Sequence, residues 1–293
     1  MNVEELKLLA QNDKLHGIYS KEDIDIDTYH APDCPGISKT GLDMINRFPA
    51  YYKYYYLDGN MEEKKETPAL IFGKAIHTAA FEPEIFDKTY TSDDFAISKG
   101  SRATKAYKQE REKYKFENPN SIILSVDVFD HVMKMRETLE KHPWTKNAFR
   151  NGNAEQTIFW KKSEILCKTR PDYIHKDGYI IDLKTTTDAS EASKAIANFR
   201  YFVQEAMLRK GAEAVTGKEF KVIFVFIEKE PPYGIRIVNL DSNAQIHGEK
   251  IFDRNLRGYK DCLKNNYWPG YPNIVETVGL PKWIYYQEEN ECD

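Results

Sequence analysis

One stretch, Lys168–Lys184, constrains the fold of this chain more than any other. Residues 165–174 and 179–187 are rich in β-branched and aromatic residues, and Asp177-Gly178 lies between the two runs. An Asp-Gly pair between such runs is a strong hairpin signal. This part of the chain is therefore predicted to form two antiparallel strands joined by a tight turn.

The length of that turn decides which side chains share a face. A two-residue turn places Asp172 and Asp182 on opposite faces of the hairpin. A three-residue turn, with Gly178 in the left-handed conformation, pairs Asp172 directly with Asp182, with their Cβ atoms about 5 Å apart. Lys184 lies two residues beyond Asp182 and projects from the same face as Asp182.

Two directly opposed carboxylates repel each other, so their pairing needs a reason. Asp oxygens suit Mg²⁺ or Mn²⁺, and a neighbouring Lys184 suits an activated water or a phosphate. The alternative is the two-residue turn, with Asp172 and Asp182 as unrelated solvated residues. Both interpretations are open at this point.

The residues of this stretch also carry a family resemblance. Arg170-Pro171-Asp172, followed by Asp182-Leu183-Lys184, resembles the signature of the PD-(D/E)XK nucleases. The resemblance is closest to the RecE-like (exonuclease VIII) nuclease domains and their phage relatives, and extends from about residue 30 to residue 283. It implies an α/β, restriction-endonuclease-like core with a central mixed β-sheet flanked by helices, plus an N-terminal helical subregion.

The resemblance implies a metal site with one or two Mg²⁺ or Mn²⁺ ions. Its ligands would be His77, Asp172, Asp182 and the Leu183 carbonyl, and Lys184 would orient the attacking water or stabilise the developing charge. Taken alone, His77 lies among small apolar residues, which favours a core histidine. Gly-x-x-x-His followed by Glu-Pro resembles the segment of RecE-like and RecB-type nucleases whose histidine binds metal.

Two further residues take catalytic roles by resemblance. Glu155 aligns with a glutamate of the family, and is expected either near the metals or in a structural role. Gln204 matches a glutamine that precedes a tyrosine by four residues, but Leu208 stands where the tyrosine would be. Tyr201, one turn before Gln204, is the candidate to take its place.

Candidate DNA contacts are scattered along the chain. Lys39 follows Ser38 in a segment that resembles the Gly-Ile/Val-Ser-Lys entry of the family, and Tyr201 is a candidate stacking residue. Arg102 and Lys105 belong to a basic group in a predicted exposed loop, where they either contact phosphates or are simply solvated. The tyrosine-rich segment 51–56 is either core packing or a platform for bases.

The length allows one large domain or two small ones, and the resemblance implies a single nuclease domain over residues 1–293. Within it, residues 1–150 are expected to be mainly helical, 151–265 to hold the catalytic sheet and its helices, and 266–293 to form the C-terminal tail, which is expected to be packed at 268–272 and 281–283. The chain is 41% hydrophobic and 13% aromatic, which is ample for a packed core.

Several protein classes are disfavoured by the sequence. No apolar run approaches the length of a membrane span, and the N-terminus lacks the order of a signal peptide. The 4 cysteines include no Cys-x-x-Cys pair, which argues against structural zinc and fits a reducing cytoplasm. The net charge of −4 does not indicate a nucleic-acid binder, so DNA contact must rely on local basic patches or on the geometry of an oligomer.

The pattern of hydrophobic residues predicts the elements around the hairpin. Helices are expected over 38–48, 70–83, 104–116, 126–141, 189–197, 201–211 and 242–263. Strands are expected over 154–160, 165–174, 179–187, 220–227 and 234–240. Gly211 is expected to end its helix.

The function implied by the resemblance is metal-dependent exonuclease activity on linear double-stranded DNA. The implied polarity is 5′ to 3′, leaving 3′ overhangs for single-strand annealing recombination with a RecT-like annealing protein. A ring-shaped tetramer encoded by a phage or prophage, acting in the cytoplasm of a bacterial host, is expected. The alternatives are a DNA-binding or assembly protein with a degenerate nuclease core, and a small-molecule metalloenzyme that uses the same carboxylates.

Overall fold

The computed structural model describes residues 1–61, 66–96, 102–281 and 284. The helices of these residues are α1 Val3–Gln11, α2 Ile26–His30, α3 Lys39–Arg47, α4 Pro49–Tyr52, α5 Pro68–Phe81, α6 Pro83–Thr89, α7 Asp93–Ala96, α8 Lys105–Glu117, α9 Val126–Lys141, α10 Thr145–Ala148, α11 Ala192–Asn198, α12 Tyr201–Thr216 and α13 Ser242–Asn265. The strands are β1 Gly17–Tyr19, β2 Tyr90–Ser92, β3 Ile122–Leu124, β4 Gly152–Ala154, β5 Thr157–Lys162, β6 Ile165–Thr169, β7 Tyr173–His175, β8 Tyr179–Thr186, β9 Lys221–Glu228 and β10 Ile235–Val238.

The central sheet has five strands in the order β10-β9-β8-β7-β4. Strands β8 and β9 are parallel, and the other neighbouring pairs are antiparallel. Helices α11 and α12 make the crossover that a parallel pair requires. The predicted mixed α/β core is therefore confirmed. Helices α1 to α10 lie within the first 150 residues and precede the strands of the central sheet.

The hairpin has the three-residue turn. His175 pairs with Tyr179 and Tyr173 pairs with Ile181, which leaves residues 176–178 as the turn. Gly178 has a φ of 84°, a left-handed conformation that glycine adopts without the steric cost of a Cβ atom. The next pair in this register is Asp172 with Asp182.

Two predicted strands are wrong as single strands. The run 165–174 is divided between β6 and β7, which belong to different sheets, because Pro171 has no N–H for a ladder. The run 154–160 is divided between β4 and β5 at Glu155, whose φ of 52° departs from a strand. Strands β1, β5 and β6 form a separate three-stranded sheet.

The central sheet is buried on both faces. Ile180 and Phe224 pack with α12 on one face, while Ile181 and Leu183 pack with α5 and α9 on the other. Because side chains alternate along a strand, Asp182 and Lys184 belong to the α12 face of β8.

Helix α12 does not end at Gly211, contrary to the prediction. It continues to Thr216, and Gly217 follows in the left-handed conformation that is common after a helix. A Cβ atom on Gly211 would lie 2.9 Å from the ring of Trp160, so this glycine allows close packing against β5.

Two other expectations need correction. The predicted loop 91–105 begins instead with the end of β2 and with α7, while residues 97–101 lie outside the described residues. Residues 272–281 of the tail are all exposed, and residues 282 and 283 lie outside the described residues. The predicted packing holds at Trp268, which is half-buried against Tyr52, and at Tyr271, whose ring centre lies 4.5 Å from that of Phe48. Within the described part of the chain, no helix has the length and apolar character needed to span a bilayer.

Candidate active site

Strand β8 presents Asp182 and Lys184 at the centre of the site. Asp182 is 1% exposed, and its Oδ2 accepts a hydrogen bond of 2.6 Å from Gln204 Nε2 of α12. Lys184 Nζ lies 2.5 Å from Asp182 Oδ1. A buried carboxylate needs such partners, and both come from the predicted catalytic residues.

Asp172 meets this group from the other side of the hairpin. It follows the buried Pro171, and its Oδ2 accepts a hydrogen bond of 2.7 Å from the Leu183 backbone N–H. The three-residue turn thus brings Asp172 beside the segment 182–184.

His77 reaches the same place from α5. Its Nδ1 lies 2.7 Å from the Gly73 carbonyl oxygen, which can only accept a hydrogen bond, so Nδ1 carries a proton. Its Nε2 lies 3.0 Å from Asp172 Oδ2 and 2.9 Å from the Leu183 carbonyl oxygen. The Gly73-x-x-x-His77 spacing allows the first contact, because residues four apart are neighbours on a helix.

The donor set at His77 fits a divalent cation. With Nδ1 protonated, Nε2 of a neutral imidazole directs a lone pair at Asp172 Oδ2 and at the Leu183 carbonyl. Three acceptors that face one another need a proton or a metal ion between them. A proton can take that place: burial disfavours the charged imidazole, but the Asp172 carboxylate outweighs burial and raises the pKa of His77 to about 9.

Asp182 is not among the acceptors that face His77 Nε2. Among the described residues, no three His, Cys, Asp or Glu side chains are grouped as metal ligands. The reason is that Asp182 is engaged by Gln204 and Lys184. A cation held by His77, Asp172 and the Leu183 carbonyl would compete with Lys184 for the Asp182 carboxylate.

Burial and charge set the protonation of the three central groups. Burial, with a further contribution from Asp172, raises the pKa of Asp182 to about 6, although Lys184 opposes the shift. Burial would raise the pKa of Asp172 as well, but the charge of His77 holds it below its ordinary value. Burial disfavours the charged form of Lys184, yet Asp182 and Asp172 together keep its pKa raised.

Glu155 lies beside the site. Its backbone N–H donates to the Asp172 carbonyl over 2.9 Å, and its Oε2 accepts a hydrogen bond of 2.9 Å from Arg170 Nε. Burial and the charge of Asp172 raise the pKa of Glu155. Arg170 is itself fixed by the Ile24 carbonyl and the Thr157 hydroxyl. Sequence reasoning assigned no role to Arg170, although it begins the Arg-Pro-Asp motif.

The ring of Tyr201 contacts the ammonium group of Lys184. Lys184 Nζ lies 4.4 Å from the centroid of the Tyr201 ring, a cation–π contact. Leu208, at the position of the family tyrosine, is fully buried in the core. A half-buried Tyr201 therefore supplies the aromatic group next to Lys184.

The remaining candidate DNA contacts lie in different places. Lys39 Nζ donates to the Phe199 carbonyl over 2.8 Å and lies 2.7 Å from Asp43, next to the start of α12. Arg102 is paired with Asp93, at 2.6 Å, and Lys105 is exposed at the start of α8. The residues His77, Asp172, Asp182, Lys184 and Gln204 are called the Asp182 group below. No described contact joins Arg102 or Lys105 to this group.

The segment 51–56 contains both buried and exposed tyrosines. Tyr52 is buried, and its ring stacks on those of Tyr56 and Trp268 at 4.9 and 5.8 Å. Tyr54 is 53% exposed. Core packing therefore accounts for Tyr52, and an exposed aromatic surface remains at Tyr54.

A family model described as a PDDEXK-like domain of unknown function (DUF3799) matches residues 42–280. The chain belongs to this family. The match contains all the residues of the Asp182 group, so the resemblance to the PD-(D/E)XK nucleases is confirmed at the level of family and fold. No curated protein matches the chain.

Two solved structures resemble this chain to different degrees. A crystal structure of a candidate exonuclease from Eubacterium rectale is similar with a TM-score of 0.60 and 13% identity, over 89% of this chain and 97% of that one. An alkaline exonuclease from Laribacter hongkongensis is matched over 66% of this chain and 97% of that one, with 11% identity and a TM-score of 0.30. The first of these supports the restriction-endonuclease-like fold.

Proposed function

We propose that this protein is a metal-dependent nuclease that hydrolyses phosphodiester bonds of DNA. The observation that carries the proposal is the convergence of His77 Nε2, Asp172 Oδ2 and the Leu183 carbonyl, with Asp182 and Lys184 adjacent, on a PD-(D/E)XK core. Acceptors that face one another make a cation site, and a lysine beside it suits an anionic phosphate.

The chain supplies the groups that hold and orient the reactants. His77, Asp172, Asp182 and the Leu183 carbonyl would hold Mg²⁺ or Mn²⁺, which when bound polarises the scissile phosphate and lowers the pKa of a bound water. Oxygen ligands suit either ion, and the imidazole favours Mn²⁺ over Mg²⁺.

Lys184 carries the second part of the proposed chemistry. Its ammonium group stays charged between two carboxylates and has N–H donors for a phosphate oxygen or for the attacking water. Gln204 holds Asp182 Oδ2, and the Tyr201 ring holds the lysine in place. Glu155 would lie next to the metal, because its backbone N–H bonds to the Asp172 carbonyl, and Arg170 would hold its carboxylate in position.

We propose further that the substrate is linear double-stranded DNA, degraded from the 5′ end to leave 3′ overhangs. The sequence resemblance to RecE-like nucleases supports the substrate and the polarity, and the description of the Eubacterium rectale structure as a candidate exonuclease supports only action from an end. A RecT-like annealing protein would then receive the overhang.

The test is digestion of a linear duplex labelled separately at its 5′ and 3′ ends, with Mg²⁺ or Mn²⁺. Early release of the 5′ label as mononucleotides, abolished by a chelator, is expected. Early release of the 3′ label would reverse the polarity. A protein that binds duplex but cleaves none of it with either metal would be a DNA-binding protein with a degenerate core.

A further inference from the structure

A stack of three aromatic rings runs from the core to the surface beside Lys184. Phe224 is fully buried in β9, the Tyr201 ring lies 5.8 Å from it at 23°, and the Phe199 ring lies 5.6 Å from Tyr201 at 27°. Phe199 is 60% exposed, so the outer ring of the stack faces solvent. Such exposure of a large apolar side chain needs explanation when it lies at a candidate site.

The chain fixes the position of this exposed ring. The Phe199 N–H donates to the Ala195 carbonyl, and its own carbonyl accepts from Lys39 Nζ at 2.8 Å. The next residue, Arg200, has a φ of 55°, an uncommon conformation for a residue with a side chain. Its guanidinium lies 3.0 Å from Asp43. Backbone strain held in this way clusters at functional sites.

The stack also places Phe199 close to the chemistry. Lys184 Nζ lies 4.4 Å from the centre of the Tyr201 ring, and Phe199 stacks on that same ring, so both residues are neighbours of Tyr201. A nucleotide whose phosphate is bound at Lys184 carries its base within a few ångströms of that phosphate. An aromatic face that is open to solvent near such a phosphate suits a base, because every base has a π-face.

We propose that Phe199 stacks on one unpaired nucleobase of the DNA strand being cleaved and so fixes the nucleotide at Lys184. The base extends the stack of Phe224, Tyr201 and Phe199 by one ring. This inference rests on the proposed nuclease function and adds a base-contacting residue to it. It also assigns a purpose to the strained Arg200, which presents the ring.

The experiment is a double-mutant cycle measured by binding to a short duplex, with a chelator present so that no cleavage is needed. One change is F199A, and the other is an abasic nucleotide at each of the three terminal positions of either strand. F199A should weaken binding roughly 5- to 50-fold, and one abasic position should weaken wild type by a similar factor while leaving F199A unaffected.

Variants and controls separate stacking from other roles. F199W should retain wild-type affinity, whereas F199L, which is apolar without an aromatic face, should resemble F199A. Phe116, 88% exposed on α8, is the matched control, and F116A should leave binding unchanged. The slope of log affinity against log salt should be the same for F199A and wild type, because stacking releases no counterions.

Three outcomes would overturn the inference. They are wild-type affinity in F199A, equal sensitivity to every abasic position in both proteins, and a loss of affinity that accompanies a changed oligomer mass in light scattering. The last would make Phe199 a contact between copies of the chain. Because the cycle measures binding, a wild-type protein that fails to cleave DNA would refute the proposed nuclease function separately.

Discussion

At the scale of single residues, the site is a set of buried charges that hold one another in place. Asp182 is almost completely buried, yet its carboxylate has only Gln204 and Lys184 as described partners. Breaking one partner of a buried ion pair is costly because the other charge remains. Lys184 keeps the favourable charge of Asp172 when Asp182 is neutralised, whereas Asp182 loses its adjacent cation when Lys184 is replaced, so the two substitutions differ in their consequences for stability.

We expect D182N to be no less stable than wild type in the presence of a chelator. The substitution removes a buried charge whose pKa is raised by burial and by Asp172, and keeps an oxygen for Gln204. It also removes a strong metal ligand. Wild type should gain about 2.7 kcal/mol at a metal concentration 100-fold above its Kd, and D182N should lose most of that gain.

Melting curves with chelator and with millimolar Mn²⁺ measure both effects. The control is D261N, an exposed position on α13, which should keep the full metal-induced shift. A D182N variant much less stable than wild type in chelator would show a structural role for the carboxylate. A full shift in D182N would place the metal elsewhere.

We expect K184M to lose at least about 100-fold in cleavage rate while still binding metal, since Lys184 is a charge-stabilising donor and not a ligand. Without the lysine, the charge of Asp182 is uncompensated, so metal should raise the melting temperature of K184M more than that of wild type. End-label release and melting curves test the two parts. K194M, with a lysine that is 75% exposed on α11, is the control. Normal turnover by K184M would show that Lys184 has no catalytic role.

At the scale of elements, glycine positions distinguish close packing from ordinary helix surface. Gly211 in α12 and Gly258 in α13 are both inside helices, where alanine is normally more stable by roughly 0.5–1 kcal/mol. A Cβ on Gly211 would lie 2.9 Å from Trp160, whereas on Gly258 it would lie 3.6 Å from Ile45. The two sites thus differ in the room they offer.

We expect G211A to destabilise the protein and G258A to leave it unchanged or more stable. Overpacking in a core costs typically about 1–3 kcal/mol, which exceeds the gain in helix propensity. Denaturant unfolding of the two variants beside wild type measures the difference. Stabilisation by G211A would mean that α12 and β5 can separate without cost.

At the scale of the whole molecule, the charge of −4 gives little long-range attraction for DNA. Enclosure of the duplex by a ring would keep the protein on its substrate without such attraction. In such a ring, the exposed tail would offer apolar surface for contacts between copies, since Ile274, Val275 and Val278 are 72%, 100% and 86% exposed.

We predict a ring-shaped oligomer, with a tetramer as the expected size. Light scattering at micromolar concentration measures the mass directly. Replacing the three apolar tail residues with serine should shift the mass toward the monomer if the tail makes the contact. A monomeric wild-type protein would refute the ring.

Linear duplex should be degraded far faster than covalently closed circles, because a ring that acts on ends cannot load on a circle. Gel analysis of the same plasmid before and after linearisation gives the comparison. Efficient nicking of the closed form would instead identify an endonuclease.

The sequence by itself determined the parts that depend on short-range rules. Residue periodicity placed most helices, and the Asp-Gly pair placed the hairpin, because turn chemistry and side-chain alternation act over a few residues. The same rules left the turn length open, and with it the pairing of Asp172 and Asp182. They also missed the break at Pro171, where neighbouring strands enter different sheets.

Only the tertiary structure decided what meets at the site. His77 reaches Asp172 across 95 residues of sequence, and Lys39 reaches Phe199 across 160. Such contacts depend on how α5, α3 and α12 pack on the sheet, which no local pattern encodes. Nothing in the sequence distinguishes Phe199 from the other aromatic residues, because its exposure is a property of the fold. Its stack on Tyr201 exists because β8, β9 and α12 bring Lys184, Phe224 and Tyr201 together in one layer.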